Sequence, residues 1–397
     1  GLKADTSCTQ LHVAPGNPGI AEIATIHPLV ITDNDAICDL AKKLAVDLVV
    51  IGPEVPLVNG ASDLLRAAGF AVFGPSKAAA QLEGSKDFAK GVMRDAGVPT
   101  ARSFTCSSQS EIEKALDTFG APYVVKNDGL AAGKGVVVTD NRAEALAHAL
   151  TCTTVVIEEY LKGPEISLFG ISDGRNILPM QPAQDFKRAF DNDEGPNTGG
   201  MGAYSPLPWA PSDIVDRTYE EVLAPMIAEM AARGTPFVGL LYAGLALTDA
   251  GIKVIEFNAR FGDPETQVLI PRLMTPLAAI LYKAATNALD DEVLQWKDES
   301  AVTVVLAAEG YPHSVKTGGE ISGISNLADT YIFHAGTTRK DGALLSSGGR
   351  VITATGMGAD LSAARATAYR AISAIELTGS FYRSDIALTA SITEKVN

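Results

Sequence analysis

The sequence contains little of what builds a metal–thiolate site, a disulfide framework or a membrane anchor. It has 4 cysteines, which lie far apart, and 5 histidines, which fall in different segments. No two cysteines form a CxxC pair, so neither a zinc site nor a disulfide framework is expected. Unpaired cysteines are typical of a reducing compartment, and we therefore expect a cytoplasmic protein. No apolar run approaches the ~18 residues that a membrane span requires, and no secretory signal is visible.

Positive charge is also scarce. Lys and Arg total 32 against 47 Asp and Glu, which gives a formal net charge of −15. Extended binding to nucleic acid or to an anionic membrane requires a basic face, so we expect neither partner. A small phosphate-bearing ligand is compatible with this charge, because a local basic pocket can oppose the overall sign. Hydrophobic residues make up 46% of the 397 residues, which is typical of a globular protein of about two to four domains.

A covalent protein nucleophile is not indicated either. The sequence has no GxSxG elbow, and its cysteines lack neighbours that would activate a thiol. The histidines are more typical of surface or packed residues than of catalysts. The chemistry of this chain must therefore come from carboxylates, lysines and glycine-rich loops.

The order of apolar and amphipathic segments predicts an α/β fold. In the first 80 residues, strand-like runs such as 47–51 alternate with helical patterns, and Asp33 precedes Ile37, Leu40 and Leu44 at helical spacing. This alternation of strands and helices is typical of βαβ units and a parallel, Rossmann-like sheet.

Later segments predict a second and a third module. We expect a helix over about 84–97, strands within 155–180, a long polar loop over 181–208, and two long strands over 238–247 and 252–257. Further strands near residues 301, 332 and 351, followed by a helix over about 361–375, form a C-terminal α+β module.

A glycine-rich loop lies between two apolar runs at 124–138. Gly129, Gly133 and Gly135 leave backbone N–H groups free to approach phosphate oxygens, and Lys126 and Lys134 add positive charge. A Walker A loop has a different glycine spacing and a following helix, so this segment is not a P-loop. A flexible hairpin with a solvated lysine is the alternative interpretation.

Acidic residues follow the apolar run at 155–157. Glu158, Glu159, Tyr160 and Leu161 stand at a strand end, where backbone groups can pair with an adenine edge. Glu165 lies four residues beyond Leu161 and could bind two ribose hydroxyls. A solvated acidic edge is the alternative.

Two oxygen ligands occupy alternate positions of the segment 253–258. Glu256 and Asn258 point to one face of a strand, about 6.7 Å apart, and Arg260 follows at the same spacing. Carboxylate and amide oxygens suit Mg²⁺, and arginine can stabilise developing negative charge. The alternative is a polar strand face with incidental ions.

Mixed charges and glycines mark the segment 185–206. Asp185 and Lys187 precede a loop that contains Gly199 and Gly200. This composition predicts a loop that encloses a substrate, although a solvated turn region has the same composition.

Together, in this order, these segments resemble the ATP-grasp superfamily and, within it, the glycinamide ribonucleotide synthetases, also called phosphoribosylamine–glycine ligases. The resemblance covers nearly the whole chain and is carried by VAPGNPG (13–19), IGPEVPLVNG (51–60), FGPSKAAAQLEGSK (73–86), VVKNDGLAAGKG (124–135), GPNTGGMGAYSP (195–206), VIEFNARFGDPETQ (254–267), FHAGT (333–337) and GGRV (348–351). The family joins glycine to 5-phosphoribosylamine with ATP, through a glycyl phosphate, in an early step of purine synthesis.

The resemblance implies a role for each candidate residue. ATP would be bound by Lys86, Lys126, Gly129, Gly133, Lys134, Gly135, Glu158, Glu159, Tyr160, Leu161 and Glu165. Mg²⁺ or Mn²⁺ would be held by Glu256 and Asn258. The substrates would contact Asn17, Glu54, Asp185, Gly199, Gly200 and Asp263, and catalysis would rest on Arg260, Asp263 and Lys187.

The resemblance also implies a domain organisation. We expect an N-terminal substrate-binding domain over 1–82, an ATP-grasp domain over 83–295 with a mobile lid at about 100–165, and a C-terminal domain over 296–397. The family's first strand and its phosphate-holding glycine loop are not found before Gly1, and the connection at 151–154 is shorter than usual. We expect both segments to be missing from view.

Two other functions are compatible with parts of this pattern. One is an ATP-grasp carboxylase or formate-dependent ligase acting on a related ribonucleotide, which the loop at 195–206 disfavours. The other is a nucleotide-binding regulatory protein without catalysis, which the presence of Lys126, Glu256, Asn258 and Arg260 disfavours. In each case we expect small-molecule partners and a monomer or weak dimer.

Overall fold

A computed structural model describes residues 1–130, 135–324 and 328–394 of the chain. No helix in these ranges is both long and apolar enough to cross a bilayer. Cys8, Cys38, Cys106 and Cys152 are all free thiols. Gly133 and Lys134, two of the predicted ATP-binding residues, lie outside the described ranges.

The N-terminal segment forms parallel strand pairs with helices between them. Its elements are β1 His12–Val13, β2 Thr25–Ile26, α1 Asn34–Leu44, β3 Leu48–Val50, α2 Glu54–Asn59, α3 Ala61–Ala67 and β4 Ala71–Phe73. β1 pairs with β2 and β3 with β4, both in parallel, which confirms the prediction of parallel pairing. The carboxylate of Asp33 accepts a hydrogen bond from the N–H of Ala36 at 2.9 Å, so the predicted helix start is also confirmed.

A small four-stranded sheet with its own core follows. Its elements are α4 Gln81–Gly84, α5 Lys86–Ala96, β5 Ser103–Cys106, α6 Gln109–Phe119, β6 Tyr123–Asn127, β7 Val136–Thr139, α7 Arg142–Ala149 and β8 Val155–Glu158. The strand order is β5–β8–β6–β7, and all neighbours are antiparallel. Ile112, Leu116, Val125 and Ile157 form a separate hydrophobic cluster beneath it. A compact unit of this kind can move as a body, although its mobility stays a prediction.

The short connection after α7 is a hydrogen-bonded turn. The N–H of Thr151 donates to the carbonyl of His148 at 3.0 Å, and that of Cys152 donates to Ala149 at 3.1 Å. The carbonyl of Thr154 then accepts from Asp128 at 3.0 Å. Residues 150–154 therefore join α7 directly to β8.

The central sheet consists of long antiparallel strands. Its elements and the segments around it are β9 Glu165–Asp173, β10 Ile177–Pro179, β11 Gln184–Asp185, β12 Arg188–Phe190, β13 Glu194–Asn197, β14 Gly202–Ser205, α8 Ile214–Thr218, a π-helical turn Tyr219–Leu223, α9 Ala224–Ala232, β15 Val238–Thr248, β16 Gly251–Asn258, α10 Thr266–Leu269 and α11 Leu277–Ala285. The sheet order is β10–β9–β15–β16. The predicted pair of long strands over 238–247 and 252–257 is confirmed as an antiparallel pair, and the chain turns at 249–250 between them.

The last module contains a sheet that crosses the predicted domain boundary. Its elements are β17 Ser300–Ala307, β18 Thr330–His334, β19 Thr337–Lys340, β20 Ala343–Ser346, β21 Arg350–Gly358, α12 Leu361–Ile372 and α13 Leu388–Thr393. The order of the sheet is β11–β14–β17–β21–β18, so two of its strands come from the segment before residue 206.

The prediction of a long loop over 181–208 was therefore wrong. The segment looked like a loop because it is rich in glycine, yet β14 is fully buried between β11 and β17. Glycine is needed at residue 202, since a Cβ there would lie 2.6 Å from the carbonyl oxygen of Thr303. The glycine and small residues at 202–205 thus reflect close backbone packing, whereas 191–199 is exposed or half-buried.

Candidate active site

One large cavity, of about 740 Å³, lies between the small sheet, the central sheet and the C-terminal module. Most of the predicted site residues that the structure describes line it, although they come from distant parts of the sequence. They are Glu54, Lys86, Lys126, Gly129, Gly135, Glu158, Glu159, Tyr160, Leu161, Glu165, Asp185, Lys187, Gly199, Glu256, Asn258, Arg260 and Asp263. The structure thus brings together segments that the sequence separates by as much as two hundred residues.

Asn17 and Gly200 are not among the described residues that line this cavity. Asn17 instead donates a hydrogen bond from its amide to the carbonyl of His334 at 2.6 Å and accepts one from Ile20 at 2.9 Å. It joins the N-terminal segment to the C-terminal module. Its predicted contact with substrate stays a prediction.

A buried cluster of charges lies at the part of the cavity formed by the small sheet and α5. The carboxylate of Glu158 lies 3.0 Å from the ammonium of Lys126 and 3.1 Å from that of Lys90. Lys126 also donates to the carbonyl of Ile255 at 2.9 Å. Each oxygen of the Glu158 carboxylate therefore pairs with a lysine. The backbone at the end of the strand is then the group that could form hydrogen bonds with an adenine edge.

Lys90 was missed by the sequence analysis. It stands four residues after Lys86 on α5, so the two side chains share one face of the helix. Burial lowers the pKa of both ammonium groups, against the opposing effect of nearby carboxylates. The helical spacing of the two lysines was the signal that could have identified Lys90.

Lys86 begins its helix next to the glycine-rich loop. Ser85 caps α5 by accepting from the N–H of Phe88, and the carboxylate of Asp128 accepts from the N–H of Lys86 at 2.6 Å. The Lys86 ammonium donates to the carbonyl of Gly129 at 3.1 Å. The cap and the loop thus fix the start of the helix, and the ammonium is held at the mouth of the loop.

Glu159 and Glu165 are both paired with basic residues. Arg102 and Lys253 contact the Glu159 carboxylate at 2.7 and 3.3 Å, and their hydrogen bonds outweigh burial and lower its pKa to about 2. The Glu165 carboxylate lies 2.6 Å from the ammonium of Lys187. A ribose that bound Glu165 would therefore also lie close to Lys187.

The predicted metal ligands occupy alternate positions of β16. The carbonyl of Ile255, which precedes Glu256, accepts a hydrogen bond from Lys126, whereas the amide oxygen of Asn258 accepts one from Arg260 at 3.3 Å. Within the described ranges the Glu256 carboxylate makes no hydrogen bond or ion pair. Its oxygens are thus available to a cation, and a carboxylate with a neighbouring amide oxygen is a donor set that fits Mg²⁺ or Mn²⁺.

Arg260 is held by two acids from other elements. Its guanidinium lies 3.0 Å from the carboxylate of Glu83 and 3.8 Å from that of Glu54. Glu83 also accepts from the N–H of Ala259 at 2.7 Å, and burial raises its pKa. Glu83, which the sequence analysis did not select, therefore fixes both the backbone and the side chain of the Arg260 segment.

A second buried acid, Glu265, was also missed. Its carboxylate accepts a hydrogen bond from the hydroxyl of Tyr242 at 2.7 Å and a longer one from Ser167 at 3.3 Å. Burial, reinforced by the charge of Asp185, raises the pKa of Glu265 to about 7. The same burial raises the pKa of Asp185, against the attraction of Lys187. The signal that could have identified Glu265 was its position in the motif at 254–267, two residues after Asp263.

Comparison with known proteins agrees with this architecture. Sequence models described as phosphoribosylglycinamide synthetase match residues 1–83 (N domain), 84–266 (ATP-grasp domain) and 301–389 (C domain). The phosphoribosylamine–glycine ligase of Streptomyces coelicolor is 58% identical over 98% of this chain and 95% of that protein, and that of Corynebacterium ammoniagenes is 55% identical over 98% and 94%.

Solved structures extend the comparison to the fold. The phosphoribosylamine–glycine ligase of Thermotoga maritima superposes with a TM-score of 0.83 at 34% identity and covers 95% of this chain and 94% of that one. The biotin carboxylase domain of a Hydrogenobacter thermophilus 2-oxoglutarate carboxylase has a TM-score of 0.74 at 16% identity, over 98% and 89%, and shares the fold alone. The chain belongs to the phosphoribosylglycinamide synthetase family.

Proposed function

We propose that this chain is a phosphoribosylamine–glycine ligase. It joins glycine to 5-phosphoribosylamine and converts ATP to ADP and phosphate, and the product is glycinamide ribonucleotide. One observation carries the proposal: a single cavity contains both the lysine cluster around Glu158 and the Arg260 segment, and β16 runs from one to the other. The name shared by the relatives supports the same activity.

The reaction requires positioning and charge neutralisation more than it requires a protein nucleophile. A carboxylate oxygen of glycine attacks the γ-phosphorus of ATP, and the bond from that phosphorus to the bridging oxygen breaks. The nitrogen of phosphoribosylamine then attacks the acyl carbon, and phosphate and one proton are released. Both steps accumulate negative charge on phosphate oxygens, which nearby cations stabilise.

The residues divide between these tasks. Lys86 and Lys126, which line the cavity, would bind the ATP phosphates, and the backbone of 159–161, which lines it as well, would receive the adenine. Glu165 binds the ribose. The finer assignment of each ATP contact rests on the family resemblance and on the position of these residues in the cavity.

A divalent cation completes the phosphate site. Glu256 and Asn258 would hold it, and when bound it supplies positive charge to the phosphate oxygens. We propose Mg²⁺ or Mn²⁺, since the ligands are two oxygens and no group of three or more His, Cys, Asp or Glu residues converges within the described ranges. Arg260, which pairs with Glu83, would stabilise the acyl phosphate, and Lys187 and Asp263, which line the same cavity, would act on the amine and glycine.

We also propose that the chain acts in the cytoplasm, as a monomer or weak dimer, on small molecules alone. The domain limits 1–82, 83–295 and 296–397 are part of the same proposal, with the qualification that β14 contributes to the C-terminal sheet.

The test is a substrate-dependence assay. ADP should form only when glycine and phosphoribosylamine are both present, and mass spectrometry should show one glycinamide ribonucleotide per ADP. Bicarbonate or formate in place of glycine should give no ADP. Turnover with either replacement would indicate the related carboxylase or formate-dependent ligase, and no turnover with any substrate would indicate a regulatory protein.

A further inference from the structure

We propose that Arg350, the first residue of β21, is a positioning residue that holds two substrate loops together across the cavity. The loops are 197–200, which we name the Gly199 loop, and 262–264, which we name the aspartate loop. This inference rests on the proposed function, because it assigns these loops to the protection of the glycyl phosphate. Arg350 belongs to the C-terminal module and was not among the predicted site residues.

Arg350 contacts the backbone of the Gly199 loop. One terminal nitrogen, Nη1, donates to the carbonyl of Gly199 at 2.7 Å and lies 3.4 Å from that of Gly200. The guanidinium also covers Gly199, where a Cβ would lie 3.0 Å from Cζ. A side chain at residue 199 would require the guanidinium to shift by a few tenths of an ångström.

The contacts with the aspartate loop use both terminal nitrogens. Nη1 donates to the carbonyl of Asp263 at 2.7 Å, and Nη2 donates to its carboxylate at 3.0 Å. The carboxylate accepts a further hydrogen bond from Gln267 at 2.7 Å on its other oxygen. One planar group therefore fixes the backbone and the side chain of Asp263 at once, which a lysine cannot do.

The two loops also touch each other beneath the arginine. A Cβ at Gly200, whose φ is +111°, would overlap the ring of Pro264. The N–H of Gly199 donates to the hydroxyl of Tyr311 at 3.1 Å, so the C-terminal module holds this loop from a second direction. The backbone groups of Gly199 are thus used to shape the loop and are not free for a substrate.

The position of Arg350 distinguishes it from a purely structural arginine. Its side chain is 22% exposed and lines the cavity. Arg383, in contrast, is 1% exposed and pairs with Asp193 and Asp385 outside the cavity, where it anchors the β12–β13 hairpin. The module therefore uses one arginine to attach the hairpin and another to set the two loops at the reaction site.

The consequence is a specific kind of failure when Arg350 is changed. In Arg350→Gln the loops lose their common partner, and water gains access to the acyl phosphate before the amine arrives. ATP would still be consumed, but part of the intermediate would hydrolyse. We expect the ratio of ADP to glycinamide ribonucleotide to rise from 1 to about 2 or more, and the rate of product formation to fall by up to about 100-fold.

The experiment measures ADP, product and nucleotide affinity for the wild type, Arg350→Gln, Arg350→Lys and the control Arg339→Gln. Arg339 lies in the same module, is 53% exposed and pairs only loosely with Glu22 at 3.6 Å. Both Arg350 variants should keep an ADP dissociation constant within about twofold of wild type and should exchange the amide of Gly199 faster. The control should match wild type throughout.

Any one of three results would overturn the proposal. The first is an ADP-to-product ratio that stays at 1 in both Arg350 variants, the second is a ratio that rises equally in Arg339→Gln, and the third is an unchanged exchange rate of the Gly199 amide. If Arg350→Gln does not fold, the Lys variant decides by the same ratio and by the exchange of Gly199. A wild type that makes ADP from other substrates would instead refute the proposed function, and unchanged exchange at Gly199 would refute the positioning role separately.

Discussion

The ammonium of Lys126 lies 3.0 Å from the carboxylate of Glu158, and both side chains are only 4% exposed. Lys126 projects from β6 and Glu158 from β8, and Lys90 reaches the same carboxylate from α5. The pair thus connects the small sheet to α5, the helix that begins at Lys86 beside the cavity. A single anionic group compensates two buried cations.

Removal of that anionic group should be costly. Glu158→Gln would leave two ammonium groups in a buried environment, and loss of one partner from a buried pair destabilises by about 3–5 kcal/mol. We expect a fall of about this size in the free energy of unfolding, measured by urea denaturation. Asp117→Asn, which breaks an exposed ion pair with Arg142, is the control and should cost less than about 1 kcal/mol. Equal effects of the two variants would contradict the role assigned to Glu158.

Glu265 should make the protein less stable as pH rises. Its folded pKa of about 7 exceeds the ordinary value of 4.5, so between these values the folded state binds more protons than the unfolded state. The contribution of this group to the free energy of unfolding is fully present below about pH 4.5. It falls by about 3 kcal/mol in total as the pH rises from there through 7.

The test compares wild type with Glu265→Gln at pH 5.0, 6.0 and 7.5. The variant keeps a hydrogen-bonding side chain beside Tyr242 and cannot ionise. Its stability relative to wild type should therefore increase with pH. A difference that is constant over this range would show that Glu265 does not titrate there.

Glu256→Gln should abolish turnover without unfolding the protein. The change removes the charge from the proposed metal ligand, and the carboxylate makes no ion pair within the described ranges that would be lost with it. We expect kcat/KM to fall by at least about 100-fold, and half-saturation with Mg²⁺ or Mn²⁺ to shift to higher concentration. Glu144→Gln, an exposed change on α7, serves as the control. Full activity of Glu256→Gln at low metal concentration would exclude Glu256 as a ligand.

Gly200→Ala should destabilise the protein more than Gly234→Ala. Both glycines have positive φ, +111° and +75°, so both substitutions impose backbone strain of about 1–3 kcal/mol. Only Gly200 faces a neighbour, since nothing lies within 4 Å of a Cβ at Gly234. The difference in melting temperature therefore reports the contact with Pro264 together with the more strained φ of Gly200, and equal shifts would mean that neither is important.

The sequence predicted the site better where its residues share a segment. Glu256, Asn258 and Arg260 recur at the two-residue spacing of a strand; β16 carries the first two, Arg260 follows its end, and all three line the cavity. The helix predicted over about 84–97 is likewise found as α5, Lys86–Ala96, because its pattern and its cap at Ser85 are local. Short-range periodicity is sufficient in both cases.

Residues that act across long separations were not predicted. Glu83 lies 177 positions before Arg260, and Arg350 lies 87 positions after Asp263, so no pattern within one segment connects them. The prediction of a loop over 181–208 was wrong for a related reason. Its glycines permit close backbone packing against a strand a hundred residues later, which composition alone cannot distinguish from a solvated turn.

The shared sheet has a consequence for the way this protein can be divided. β14 pairs with β17 at four positions, from Gly202–Val304 to Ser205–Ala301. Truncation at residue 296 would leave the backbone donors and acceptors of β14 unpaired on a buried, apolar edge, and such an edge is a template for intermolecular strand addition. The first 295 residues should therefore aggregate when produced alone, so the catalytic chain is indivisible at the boundary where its sequence first suggests a cut.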